Sequence, residues 1–179
     1  MSAQLLFATA VKLPSQSAVR HVYPTVQLAD AFAIDLPPGA ASDPEVLGRF
    51  MFSHQPAWIG ALMRVRDAVV ALFGIKTAKK LTGAPSGPRA SRVGIFKVYS
   101  IDDSEMVVGE DDKHLDFRVS VLRTAIPGGG ARLTVSTVVH CHNVLGRIYL
   151  FVIAPFHRMV VKSVLRRAAT LGWPQFKQK

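Results

Sequence analysis

At 179 residues the chain is long enough for one domain with a full core, burying about 70% of the surface its unfolded form exposes. Its 22 basic and 12 acidic side chains leave a formal net charge of +10, which favours phosphates, nucleic acid and anionic lipid alike and so selects no partner. The single cysteine, Cys141, excludes an internal disulfide and a cysteine-built metal site, and fits a reducing cytoplasm.

Residues 1–28 read as an N-terminal arm of low periodicity, followed by one domain over 29–172 and a basic tail over 173–179. Met1 to Phe7 has no positive n-region and only a short apolar segment, so it is not read as a signal peptide. Leu28 to Leu36 reads as a first strand, ended by Pro37-Pro38-Gly39. Ser42 or Asp43 then caps a short helix, with Pro44 at its first position and Glu45 near the positive end of its dipole. A second helix carries Trp58, Leu62, Val65, Val69 and Leu72 at spacings of four and three, a core stripe ended by Gly74. Trp58 also has a sharper reading, as part of a ligand wall. From Lys76 to Arg92 runs a loop with five cations and no acid, read as a solvated connector with a basic loop at the mouth of a site as the alternative.

Four strands follow: Val93 to Ile101, Glu105 to Gly109, His114 to Thr124, and Arg132 to His142. The last two form a hairpin closed by Pro127-Gly128-Gly129-Gly130. Leu115, Phe117, Val119 and Val121 alternate with His114, Asp116, Arg118 and Ser120; Leu133, Val135, Val139 and Cys141 alternate with Thr134, Ser136, His140 and His142. Centring the turn on Gly128 sets Asp116 opposite His140 and His114 opposite His142, and a one-residue slip would oppose apolar to polar throughout. One face of the sheet is therefore greasy, and the other carries three histidines, an aspartate and an arginine.

The remaining stretch, Asn143 to Gly172, has no strong turn signal. At 100° per residue Tyr149, Ile153, Phe156, Val160, Val164 and Leu171 share one side, and Arg147, Arg158, Lys162 and Arg166 the other. The pattern predicts a long amphipathic helix kinked at Pro155. A competing reading makes Ile148 to Ile153 a buried strand, with Pro155 opening a shorter helix. Arg147, His157 and Arg158 inside the greasiest window argue against a membrane span, since a central arginine costs about 2.5–3.5 kcal/mol. His157 reads as a residue of the helix flank.

The segments Gly109-Glu110-Asp111-Asp112-Lys113-His114-Leu115-Asp116-Phe117-Arg118 and His142-Asn143-Val144-Leu145-Gly146-Arg147-Ile148-Tyr149, continuing to Ala154-Pro155-Phe156-His157-Arg158, resemble the signature stretches of an uncharacterised bacterial family. That domain-of-unknown-function family is related to the START-like, or helix-grip, superfamily of polyketide cyclases and hydrophobic-ligand carriers. The resemblance runs from about Asp30 to Ala169. It implies an α+β helix-grip fold: a curved antiparallel sheet wrapped around a long C-terminal helix, two short helices after the first strand, and a cavity between sheet and helix. Some relatives carry the domain behind a nucleotide-binding one; this chain has no G-x-G-x-x-G, and its glycine triplet sits in a hairpin.

Three functions are weighed. The first is a cytoplasmic domain binding an apolar or amphipathic small molecule, with Trp58, Phe117, Val119, Val139, Tyr149, Ile153 and Phe156 as its wall and Arg118 or Arg147 meeting an acidic end group. The second is an enzyme of cyclase-like or hydrolase-like acid–base chemistry, with Asp116 holding His140 and His114 nearby. His114, His140 and His142 also have the ligand types of a metal site, set against an ordinary solvated sheet face. No nucleophile or cofactor motif stands out, so no cofactor is expected and the enzyme reading is the weaker. The third is a module docking on an anionic membrane or on a protein through its basic helix and loop, because Phe151 and Leu165 fall on the basic side of the helix. Those two side chains equally suit a homodimer contact. Only charge speaks for nucleic acid.

Overall fold

The computed structural model describes residues 7–72 and 92–175, with the side chains of 65–72 excepted. In chain order these form β1 (Thr9–Val11), a single 3-10 turn (Ala18–His21), β2 (Leu28–Leu36), α1 (Pro44–Ser53), α2 (Ala57–Leu72), β3 (Arg92–Val93), β4 (Phe96–Ile101), β5 (Glu105–Asp111), β6 (Leu115–Ile126), β7 (Gly130–Cys141) and α3 (Val144–Leu171). The strands make one antiparallel sheet of order β1-β2-β7-β6-β5-β4-β3. The architecture is the expected α+β helix grip, with α1 and α3 on one face of the sheet.

Local chemistry sets the element ends. Asp43 caps α1, its carboxylate accepting from the backbone N–H of Glu45 at 2.7 Å, and Pro44 occupies the first turn where its missing N–H is not needed. Asn143 caps α3 in the same way, accepting from Gly146 N at 3.0 Å. The β6–β7 hairpin has the register deduced from its turn, Asp116 opposite His140 with Gly128 at the centre. The strand predicted over 93–101 is two strands instead. Gly94, at φ 60°, reaches the left-handed backbone region a side chain disfavours, and turns the chain between β3 and β4.

The final helix is one helix from Val144 to Leu171 that passes Pro155 without a break, so the strand reading of Ile148 to Ile153 is overturned. A strand there would have left its backbone groups to find partners at a sheet edge; the helix pairs them internally. Its C-terminal half is core: Val164, Leu165, Ala168 and Ala169 are buried against Phe32, Ile34, Leu47 and Trp173. Leu165 is thus not on the exposed basic side, and Leu171 lies outside the core. Gly146 permits the close approach at the other end, because a Cβ there would stand 2.1 Å from the carbonyl oxygen of His114.

Two further expectations change. The stripe on α2 is rotated: Trp58 is exposed, and Ile59 with Leu62 and Met63 turns inward. A segment apolar on several sides supports more than one stripe, and packing selects between them. Val65, Val69 and Leu72 of the expected stripe have side chains outside the described residues, as do Gly74 and residues 76–91 of the basic loop. The arm, for its part, is built into the sheet. β1 pairs with β2, and the 3-10 turn puts Val19 onto the outer sheet face against Val107 and Val138. Trp173 likewise belongs to the core, and Pro174 accepts a hydrogen bond from Ala41 N.

Candidate ligand cavity

Strand alternation decides which side chains face α3. On β2 these are Leu28, Asp30, Phe32 and Ile34, on β6 Leu115, Phe117, Val119 and Val121, and on β7 Leu133, Val135, Thr137, Val139 and Cys141. Between the close contact at Gly146 and the packed residues from Val164 onward, a cavity of about 290 Å³ lies between α3 and the sheet. Its floor is Leu28, Leu115, Phe117, Val119, Val135, Thr137 and Val139; α1 and α2 add Met51, Phe52, Ile59, Leu62 and Met63; α3 closes it with Tyr149, Leu150, Ile153, Phe156, His157 and Val160. Phe96 packs edge-on against Phe117, ring centres 5.7 Å apart, and against Phe52 at 5.4 Å, giving one side a rigid aromatic wall. Phe156 stands at the rim, lining the space while part of its ring stays exposed.

Of the wall residues expected from sequence, Phe117, Val119, Val139, Tyr149, Ile153 and Phe156 line this cavity. Trp58, Arg118 and Arg147 do not. Trp58 is on the solvent side of α2, and Arg147 is exposed on α3. Arg118 lies on the opposite face of the sheet, where its guanidinium meets Asp111 at 2.8 Å and covers the Tyr99 ring at 3.5 Å. Neither arginine is placed to meet an acidic end group inside. His157, expected on the flank, is part of the wall, with Nε2 3.2 Å from Asp30 Oδ1. Thr137 and Asp30 were missed as well, although each is a lone polar residue on the greasy parity of its strand. That interruption of the alternation was a readable signal.

On the outer face His140 and His142 lie edge-on, ring centres 5.0 Å apart, but with partners other than those expected. Asp116 does not hold His140; its Oδ1 lies 3.0 Å from Nε2 of His142. His140 is held by the arm, Nδ1 lying 2.8 Å from the Thr25 carbonyl oxygen, with the Tyr23 ring stacked at 5.6 Å. His114 Nδ1 lies 3.1 Å from Asn143 Nδ2, so this ring belongs to the start of α3. Among the described residues no three His, Cys, Asp or Glu side chains converge as a metal ion would need. Deeper under the arm, the buried Glu105 carboxylate accepts from Ser17 Oγ at 2.6 Å, from Ala18 N at 2.8 Å, and from Ser120 Oγ.

Electrostatics agrees with this division. Burial alone would raise the Asp111 carboxyl, but hydrogen bonds from Tyr99 Oη and Arg118 outweigh it and hold the group below the ordinary carboxylate range. Burial pushes the hydroxyls of Tyr23 and Tyr99 above the usual phenol range. On the cavity side, burial raises the Cys141 thiol, with Arg147 pulling the other way, so the group is a weak nucleophile.

These features define an α+β protein whose antiparallel sheet grips a long C-terminal helix over an apolar cavity. Residues 22–164, most of the chain, match the family described as Protein of unknown function (DUF2867), and the chain belongs to that family. No curated protein matches it.

Proposed function

We propose that this protein binds an apolar or amphipathic small molecule in the cavity between the sheet and α3, acting as a carrier or receptor in the cytoplasm. The cavity itself carries the reading: about 290 Å³ with a wall almost wholly aliphatic and aromatic. Apolar surface transferred there from water gains about 25 cal/mol per Å². A pocket of this size and character is the usual form of a small-molecule site. The START-like resemblance of the two signature stretches points the same way. The neutral probe N-phenyl-1-naphthylamine should bind with a fluorescence increase. Ile153→Trp, which adds volume inside the cavity rather than in the packed core, should weaken binding at least about tenfold while leaving the thermal midpoint within a few degrees. No binding to the wild-type protein would refute the reading.

A second reading, docking on an anionic membrane surface, is favoured by one observation. Val144, Ile148, Phe151, Val152 and Met159 are exposed along α3, Phe151 to 83%, and the helix carries five cations and no acid. The helix is also long and apolar enough, by length and composition, to cross a membrane. Its second half, buried along one side, fits a helix lying on a surface better than one passing through. Sedimentation with anionic vesicles tests this, and a concentration-dependent dimer in solution would assign the face to a second copy instead.

A further inference from the structure

Besides Gln55 and Tyr149, the polar residues of the cavity wall are Thr137 and His157, and both adjoin Asp30. Asp30 of β2 and Thr137 of β7 are directly opposed in the sheet, on the parity that faces α3. Thr137 is on the cavity wall and 4% exposed, and its Oγ1 has no hydrogen-bond partner. His157, on the wall of the facing helix, brings Nε2 to 3.2 Å from Asp30 Oδ1. The second oxygen of Asp30, Oδ2, is buried without a hydrogen bond, and Arg158 Nε stands 3.7 Å from it.

A buried hydroxyl without a partner costs stability, and valine would have filled the same strand position with the same shape and no such cost. A ligand group that completes its hydrogen bonding removes that penalty. The charge at this end is already met: the Asp30 carboxylate has His157 and Arg158 beside it. The Asp30–Arg158 pair leaves no unpaired charge to offset the desolvation of a ligand carboxylate or ammonium, whereas a neutral hydroxyl can both donate and accept.

We infer that the cavity takes an apolar molecule ending in a neutral hydroxyl, whose head group exchanges hydrogen bonds with Thr137 Oγ1 beside the His157 ring. Asp30 is a positioning residue that holds that ring. The inference rests on the cavity being a ligand site, and it adds the head group.

The test is displacement of N-phenyl-1-naphthylamine by three ligands of equal chain length: 1-decanol, decanoate and decylamine. On the wild-type protein, decanol should displace the probe at about one-tenth the concentration the two charged ligands need. Thr137→Val should weaken decanol about fivefold relative to that variant's own affinity for the probe, and match or exceed the wild-type thermal midpoint. Thr137→Ser should keep the preference. A charged ligand competing as well as decanol, or a preference that survives Thr137→Val, would overturn the head-group assignment with the cavity reading intact. Failure of the probe itself to bind would remove both.

Discussion

Asp111 shows how one side chain on the outer face couples folding to pH. Its carboxyl is depressed in the folded protein despite the opposing effect of burial, through Tyr99 and Arg118. The ordinary value, about 3.9, applies once the chain unfolds. The group's contribution is therefore fully present above that value and is lost as pH falls through the lower folded value. Melting the wild-type protein and Asp111→Asn between pH 6 and pH 3 should show a shallower acid loss in the variant; equal slopes would mean the pairing adds nothing. Arg118, the buried partner, was legible from sequence only as a member of the polar parity. Its cover by Tyr23 and Tyr99 was not, because those rings arrive from the arm and from β4.

At the scale of elements, the join between β7 and α3 combines a cap and a close approach. Asn143→Ala removes the acceptor for Gly146 N and should cost about 1 kcal/mol. Gly146→Ala forces a Cβ to within 2.1 Å of a backbone carbonyl that cannot swing aside, and should cost about 3 kcal/mol or more. Urea denaturation of both variants checks the order, and a Gly146→Ala variant as stable as Asn143→Ala would mean that the helix can lift off β6 cheaply. The cap was readable, since Asn precedes a long periodic run. The need for glycine was not, since it depends on a carbonyl 32 positions earlier in the chain. Rotation of α2 escaped for another reason: with Trp58, Ile59, Leu62 and Met63 all apolar, periodicity alone does not say which edge faces the sheet.

For the whole molecule, the distribution of charge against apolar surface matters more than the total. The exposed run from Val144 to Met159 lies along the same helix whose inner side closes the cavity, and Phe156 belongs to both. If this face rests on lipid, vesicles rich in phosphatidylglycerol should sediment the protein at 0.1 M salt and release much of it at 0.5 M, as screening shortens. Phe151→Glu should weaken partitioning at least about tenfold, since a buried phenylalanine is worth about 1.5–3 kcal/mol. Unchanged sedimentation of that variant would assign the charge alone to the interaction.

What the sequence determined by itself was carried by short-range period and turn chemistry. Alternation assigned the two faces of β6 and β7, Gly128 centred their register, and an unbroken amphipathic run made α3 the element that covers the sheet. Tertiary structure alone decided which long-range partners meet. Ser17 reaches Glu105 across 88 residues, Thr25 rather than Asp116 holds His140, and Asp30 finds His157 on a helix 127 residues away. The reason is physical: periodicity is a property of neighbours a few residues apart. Where an aperiodic arm lies, and how far a helix stands off a sheet, follow from how the whole set of side chains packs.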